Sequence, residues 1–435
     1  MLNFLFVTIF VTILTLSSYT FGSFAQSFFQ WKFSSYVNVI LGFTIIIGVL
    51  NFLIYPIIYF KVSSDLFLIF FVILLIIPYI FHKRIQWFKF DKTIIVVALI
   101  LIIRIVVTYN RGIAEESFDT VHYLSYILEA AKGSFLTEFD VNGIARNIVV
   151  PQDDFSSHFY ILSSMYRIIE LIKTSFSYDI LSLTMPAIIW ITTIFYYILS
   201  ISLTFASMEL LNVKNRVHQL IIILVSQFFI GSFYYNSVFI FYGNTYRTLF
   251  SGVLVFLIYF ATKNKKFDIF SSIMIMLASS AVLAASGSGY LISFITLYAF
   301  VVLMLSNKGL SNRNLAIMYV LFVPVILFVL NFLYLNYGLS TLKLSLLILF
   351  YVVLLIITIV VKLPLQNLYR LFFYVIFPLG ILIYSLKINL ATPIMQDFFI
   401  QRSYTDMVWD YLSTSNLRQI LFNGILWGSL ILYSI

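Results

Sequence analysis

Long apolar runs recur along almost the whole of this chain and leave little room for a soluble core. A helix that crosses a bilayer needs about 20 mostly apolar residues, and runs of this kind are separated here by polar residues, Gly or Pro. We therefore predict an all-α, polytopic transmembrane protein of about thirteen helices. Their expected positions are residues 3–21, 36–60, 65–82, 93–109, 180–207, 218–241, 246–262, 268–285, 290–306, 314–335, 342–361, 369–386 and 418–435.

The composition agrees with this fold class. The chain is 62% hydrophobic and 10% charged, whereas soluble domains carry about 25% charged residues. It has no cysteine, which excludes disulfides and thiolate metal sites. A net charge of +9 would favour nucleic acid as the partner of a soluble protein, but here the basic residues lie in short loops. The positive-inside rule accounts for such loops, so we expect the lipid bilayer as partner and no nucleic acid.

The basic loops also set the expected orientation. In the thirteen-helix arrangement all five of them fall on one side of the membrane, which the positive-inside rule makes cytoplasmic. The N-terminus and the complementary loops are then external, in a multi-pass protein of the cell membrane. The five loops contain Lys83, Arg84, Lys89 and Lys92; Lys214 and Arg216; Lys263, Lys265 and Lys266; Lys308 and Arg313; and Lys362 and Arg370.

We expect one transmembrane domain over residues 1–435, with an acidic segment between its spans. Nine of the 17 acidic residues lie in residues 110–178, and a membrane protein that gathers its carboxylates in one loop is expected to keep its chemistry there. The predicted parts are N-terminal spans 1–109, the external acidic loop 110–178 with amphipathic helices, central spans 179–386, an external loop 387–417 and a last span 418–435.

A predicted helix from Thr120 to about Lys132 carries the first candidate site. Asp119, His122 and Tyr123 share one of its faces by helical spacing, which predicts an amphipathic helix at the membrane surface. Asp119 is a candidate general base for an acceptor hydroxyl, because partial desolvation raises the basicity of a carboxylate. His122 would orient it or contact phosphate. The alternative is that Asp119 caps the helix and that His122 and Tyr123 belong to an interfacial aromatic belt.

Pro151 to Asp154 form a second candidate site. The adjacent carboxylates of Asp153 and Asp154, beside a turn-forming proline, are ligands for a hard divalent cation that would neutralise a leaving diphosphate. The alternative is a solvated turn or a cap for the next predicted helix, Ser156 to Lys173. That helix is amphipathic, and it is either interfacial or the start of another span. Its expected apolar stripe is Phe159, Leu162, Met165, Ile169 and Ile172.

Three arginines on the predicted outer side complete the set of candidates. Arg104 lies inside the fourth span, either as an interfacial anchor that snorkels outward or as a guanidinium directed into a cavity under the acidic loop. Arg247 follows a short Gly-containing turn, Tyr242–Tyr246, that could cradle a phosphate or be no more than a tight turn. Arg402 lies in the last external loop, among aromatics and carboxylates that suit either a sugar site or an interfacial helix.

This arrangement resembles the GT-C superfamily of polyprenyl-phosphate-dependent membrane glycosyltransferases. The resemblance rests on Glu116–Leu124 and on Tyr242–Arg247, and it covers roughly residues 93 to 300. In that superfamily a carboxylate in an early external loop acts near the acceptor, and external Arg or Lys residues hold the lipid phosphate. The resemblance implies that Asp119 is the catalytic carboxylate and Arg247 a phosphate contact.

Three functions follow as hypotheses. The first is a glycosyltransferase that moves a sugar from a polyprenyl-phosphate-linked donor to an acceptor on the outer face, in cell-envelope polysaccharide or glycolipid synthesis. Arg104 or Arg402 would then hold the phosphate beside Arg247. The second is a polymerase of lipid-linked repeat units, of the O-antigen or capsule type, acting through Arg111, Arg146 and Arg402. The third is a flippase for lipid-linked oligosaccharides, against which the nearly uncharged span centres argue.

Overall fold

A computed structural model gives the structure of the chain. It describes residues 2–29, 33–59, 63–80, 92–111, 157–175, 184–228, 243–264, 267–285, 289–308 and 312–337, with isolated helical positions within 127–131 and 342–356. Every regular element in these ranges is a helix, which confirms the predicted fold class.

The described part of the chain contains a short 3-10 turn, Ser35–Val37, and eleven α-helices. Their bounds are α1 Leu2–Phe29, α2 Asn38–Tyr59, α3 Ser64–Ile80, α4 Lys92–Arg111, α5 Ser157–Ser175, α6 Thr184–Leu210, α7 Arg216–Phe228, α8 Gly243–Lys263, α9 Ile269–Ala285, α10 Gly289–Lys308 and α11 Asn312–Tyr337.

Membrane character is evident in three of the described helices, which are long and apolar enough to cross a bilayer. They contain Phe6–Ser27, Ser35–Tyr55 and Pro186–Leu210, and five further apolar helical stretches of 10–17 residues accompany them. The chain thus has the helices of a membrane protein. The larger number of about thirteen spans stays a prediction, and the expected spans 369–386 and 418–435 lie outside the described residues.

The first helix extends further than the sequence predicted. We expected it to end at residue 21, before Gly22 and Ser23, but α1 continues to Phe29. The glycine is a contact point and not a break. A Cβ atom placed on Gly22 would lie 2.0 Å from the carbonyl oxygen of Asn38 in α2. Small residues let helices approach to backbone contact inside membranes, and this contact stabilises the last turns of α1.

Helix α2 is the centre of the packing. It contacts α1 through Gly42, where a Cβ atom would lie 1.7 Å from the carbonyl oxygen of Ser18, and α9 through Gly48, where a Cβ atom would lie 2.3 Å from that of Leu277. Beside the second contact, Asn51 Nδ2 donates to Ser280 Oγ over 3.1 Å, and Ser280 Oγ donates to the carbonyl of Gly48 over 2.9 Å. Backbone proximity and buried hydrogen bonds therefore fix α1, α2 and α9 as one unit.

The two ends of the bundle can be told apart from contacts to α6. At one end, which we call the α4 end, Tyr109 in the last turn of α4 contacts Trp190 of α6, with ring centroids 6.1 Å apart. At the same end Tyr246, in the first turn of α8, donates its hydroxyl to the carbonyl of Thr192 over 2.9 Å. The end of α4 and the starts of α6 and α8 therefore lie together.

The opposite end, which we call the basic end, is held by the turn between α1 and α2. The backbone N–H of Ser34 donates to Glu209, next to the last residue of α6, over 2.6 Å. The Phe33 ring contacts Phe260, near the end of α8, with centroids 4.5 Å apart. The ends of α6 and α8 thus lie at the same end of the bundle. Lys214 follows the end of α6 and Lys263 ends α8, so both lysines belong to the basic end.

Helix α5 matches the predicted amphipathic helix 156–173 closely. Leu162, Met165 and Ile169 are buried as expected, whereas Ile172 is 37% exposed. The helix packs against α2, α3, α6 and α9, so its buried face is protein-covered. Arg167 forms an ion pair with Asp65 in the first turn of α3. Since α2 starts at the basic end, the start of α3 and this ion pair belong to the α4 end.

Substitution of Gly42 tests the close approach of α1 and α2. Gly42→Ala would drive a methyl group into the backbone of Ser18, so we expect a loss of about 2 kcal/mol or more in the free energy of unfolding. Gly252→Ala is the matched control, because its new methyl group would meet only the tip of the Leu203 side chain, at 2.8 Å, which can rotate away. Unfolding of the detergent-solubilised protein gives both values. Equal losses for the two variants would contradict the packing described here.

Candidate functional site

Arg104 is the largest fully buried side chain in the described part of the chain, with 1% of its surface exposed. It lies on the inner face of α4 together with Ile100 and Thr108, which are 4% and 0% exposed. The outer face of α4 is aliphatic and open, with exposures of 46–73% at Ile95, Leu99, Ile102, Ile103, Val106 and Tyr109. The one charge of this helix between its terminal turns is therefore directed into the bundle.

Side chains from three helices surround the guanidinium. Arg104 Nη1 donates to Gln227 Oε1 of α7, and Arg104 Cζ lies 3.7 Å from the centroid of the Tyr197 ring of α6. The Tyr197 hydroxyl shares a 2.7 Å hydrogen bond with Thr108 Oγ1, and Gln227 Nε2 donates to Ser200 Oγ over 2.8 Å. We call Arg104, Thr108, Tyr197, Ser200 and Gln227 the Arg104 cluster.

The cluster lies deep within the bundle. Tyr197 is the middle residue of α6, the fourteenth of 27. At a rise of 1.5 Å per residue, the middle of this helix is about 20 Å from either end. The guanidinium of Arg104 is thus enclosed by the bundle and does not snorkel outward, and Arg104 is the exception to the expectation that the span centres are nearly free of charge. The partners that fix the guanidinium, on α6 and α7, are all on its inner side.

The positive charge of Arg104 has no carboxylate partner among the described residues. Among the described residues Arg167 and Asp65 form an ion pair, on helices other than α4. Arg104 Nε is also buried and finds no acceptor within the described ranges. Burying an ion away from water costs several kcal/mol unless charge and hydrogen bonds compensate it. The neutral partners compensate only in part, which marks this arginine as a functional candidate.

The second group of candidate residues lies at the α4 end. Arg247 is half-buried in the second turn of α8, directly after Tyr246, whose hydroxyl holds the start of the helix on α6. The predicted turn Tyr242–Tyr246 is helical from Gly243 onward, so the feature is a helix N-terminus with an arginine beside it. Free N–H groups and the positive end of the helix dipole favour an anion at such a place.

The remaining predicted site residues lie outside the described residues. These are Asp119, His122, Tyr123, Asp153, Asp154 and Arg402, and their roles stay predictions. Within the described ranges there is no group of three or more His, Cys, Asp or Glu side chains. The expected divalent cation at Asp153 and Asp154 is a separate matter, because those two positions are not among these ranges.

Tyr197, Ser200 and Gln227 were not among the residues that the sequence singled out. A signal for two of them exists in the sequence, because Thr193, Tyr197, Ser200 and Thr204 recur at helical spacing on one face of the apolar helix α6. Gln227 is a single amide in an apolar run, and its contact with Arg104 spans 123 positions of the chain. No local pattern could have paired them.

Comparison with known proteins adds no family. No protein-family model, no curated protein and no solved structure matches this chain. The functional argument therefore rests on the residues and contacts described above.

A double-mutant cycle tests how the Arg104 cluster is held together. Gln227→Leu would leave the buried guanidinium without its acceptor, so we expect a loss of about 3–5 kcal/mol in the free energy of unfolding. Arg104→Met in the same chain removes the charge, and the double variant should recover most of that loss. Chemical unfolding in detergent measures all three variants. Losses that simply add would show that the two side chains are energetically independent.

Proposed function

We propose that this protein is a membrane glycosyltransferase that moves a sugar from a polyprenyl-phosphate-linked donor to an acceptor on the outer face of the membrane. The observation that carries the proposal is the grouping at the α4 end. Trp190 and Thr192 of α6 hold the end of α4, where the acidic segment begins, next to the start of α8 with Arg247. The helix end from which the acidic segment continues and a helix start that could bind an anion thus share one end of the bundle.

The other flank of the acidic segment supports the same grouping. Helix α5 follows this segment, and its Arg167 pairs with Asp65 at the α4 end. The middle of α5, ten positions after its first residue, thus also lies at the α4 end. The basic residues Lys214 and Lys263 lie at the opposite end, and positive charge favours the cytoplasmic side. Together these contacts support an external position for the acidic segment.

The proposed reaction needs one base and one anion site. Asp119 accepts the proton of the acceptor hydroxyl, while His122 and Tyr123 position the acceptor. The hydroxyl oxygen attacks the anomeric carbon of the donor sugar as the bond from that carbon to the phosphate oxygen breaks. The electron pair leaves with the polyprenyl phosphate, whose growing charge is neutralised by Arg247, Arg402 and the start of α8. A divalent cation on Asp153 and Asp154 would add further positive charge.

Asp119→Asn is the direct test of the base. We expect sugar transfer by the purified protein to fall by about 10²- to 10⁴-fold, because general-base catalysis contributes about that much. Glu129→Gln, in the same acidic segment, is the matched control and should retain transfer. The assay measures incorporation of labelled sugar from a polyprenyl-phosphate donor in proteoliposomes. Full activity in Asp119→Asn would refute the assigned role.

Arg247→Gln tests the phosphate contact. If Arg247 binds the donor phosphate in the ground state and in the transition state alike, KM for the lipid-linked donor should rise while kcat changes little. The expected rise is about tenfold, corresponding to one charge-assisted hydrogen bond. Lys263→Gln, at the far end of the same helix α8, is the control and should leave KM for the donor unchanged. An unaltered KM in Arg247→Gln would place the donor phosphate elsewhere.

A flippase for lipid-linked oligosaccharides is the second candidate function, and the depth of Arg104 favours it. Ionisable residues inside a membrane bundle commonly line the path of a polar substrate. Polar residues Thr193, Tyr197, Ser200 and Thr204 continue along α6 on either side of the guanidinium. Lipid translocation in proteoliposomes without any acceptor separates the two functions. Translocation that survives Asp119→Asn but not Arg104→Met would support the flippase, and sugar transfer to an acceptor without any translocation would support the transferase.

A further inference from the structure

We propose that the Arg104 cluster binds a small monovalent anion inside the helix bundle, on the edge of the guanidinium that carries Nε. The inference does not depend on the proposed transfer reaction. It rests on a buried donor without an acceptor, Arg104 Nε, and on a buried positive charge that no described carboxylate balances.

The charge balance favours one negative charge. The described neighbours of the guanidinium are a carboxamide, a phenol and hydroxyl groups, from Gln227, Tyr197, Thr108 and Ser200. These dipoles are neutral at ordinary pH, so the cluster keeps a net charge of +1. One monovalent anion would bring the net charge of the site to zero. A divalent anion would leave a net negative charge, and burying it would cost about as much free energy as burying the original positive charge.

The described contacts of Arg104 involve Nη1 and one face of the guanidinium, and none of them involves Nε. Nη1 is engaged by Gln227, and the Tyr197 ring covers one face of the guanidinium plane at 3.7 Å. An acceptor that bonds Nε would approach in the plane of the guanidinium, along the edge to which Nε belongs. A second buried donor without an acceptor in the described part, Thr193 Oγ1, lies one turn from Tyr197 on α6. Hydroxyl and guanidinium donors together suit an anion that accepts several hydrogen bonds.

The closure of the site limits the size of its occupant. Arg104, Thr108 and Gln227 are 1%, 0% and 0% exposed. Entry of a phosphorylated lipid would require α4 to move away from α6 and α7. A chloride-sized ion needs only a brief local opening, and chloride is therefore the probe for the site.

Substitution of Gln227 by glutamate changes the charge of the site and leaves the shape of the side chain nearly unchanged. Gln227→Glu places a carboxylate of nearly the same shape against Arg104 Nη1, so the counter-charge is then supplied by the protein itself. If the site holds an anion, this variant should be more stable than the wild type without chloride and should no longer respond to chloride. If Arg104 has only a packing role, the variant should leave any response to chloride unchanged.

The experiment measures the melting temperature of the full chain in a neutral detergent while chloride replaces gluconate at constant ionic strength. We expect a saturable rise of several degrees in the wild type, because a ligand that binds only the folded state stabilises it by mass action. Arg104→Gln and Gln227→Glu should both lose the rise. Lys263→Gln should keep it, since that lysine also lies over a tyrosine ring, 5.8 Å from the Tyr259 centroid, but at an exposed helix end.

Three results would overturn the proposal. The first is a wild-type melting temperature that does not respond to chloride. The second is a response that persists in Gln227→Glu, which is the decisive variant if Arg104→Gln fails to fold. The third is a response to inorganic phosphate and none to chloride, which would assign a larger and more highly charged ligand to the guanidinium.

Discussion

The close contact of α1 with α2 is the interaction on which the rest of the bundle depends. Gly22 and Gly42 let the two backbones approach so closely that a single methyl group at either position would overlap a carbonyl oxygen. Apolar side chains gain little by leaving lipid for protein, so contact between helices in a membrane relies on such packing. The contact places the Ser34–Asn38 turn, and that turn in turn holds α6 through Glu209 and through Ser202, whose hydroxyl meets the backbone of Tyr36 and Ile40.

Helix α6, held in place by this turn, positions the residues of both candidate sites. Its middle residue, Tyr197, stacks on Arg104, while Trp190 and Thr192 fix the end of α4 and the start of α8. One mostly buried helix therefore positions both the Arg104 cluster and the group at the α4 end. Between Thr192 and Tyr197 the separation is about 7.5 Å along the axis, from the rise per residue of an α-helix.

Hydropathy alone predicted much of the fold. The expected ranges 36–60 and 93–109 agree within two residues with Asn38–Tyr59 and Lys92–Arg111, because the ends of these helices coincide with changes from apolar to polar sequence. The end of α1 was missed because Gly22 serves a contact with a distant helix. A glycine that ends a helix and a glycine that allows a close helix contact look the same in the sequence. Only the position of the neighbouring backbone distinguishes the two cases.

The candidate site could be predicted less well, for a different physical reason. A charge within an apolar run identifies Arg104 as unusual, but its depth and direction depend on Gln227 and Tyr197, which approach from other helices. Whether a side chain on a helix points into the protein depends on which face of the helix is buried. The buried face is determined only when the helices of the bundle pack together. Asp119 was found from helical spacing within its own segment, so its proposed role rests on local pattern and on the position of the helices that flank that segment.

Helix α4 joins the two sites mechanically. Its outer face is exposed along most of its length, and its inner face is held mainly by α6 and α7. The polar contacts of Arg104 and Thr108 therefore supply a large part of what fixes this helix in place. The last turn of α4 lies about 10 Å along the axis from Arg104, and the acidic segment continues directly from it. Any change in how the guanidinium is neutralised must thus alter the restraint on α4, and with it the starting point of the segment that carries Asp119.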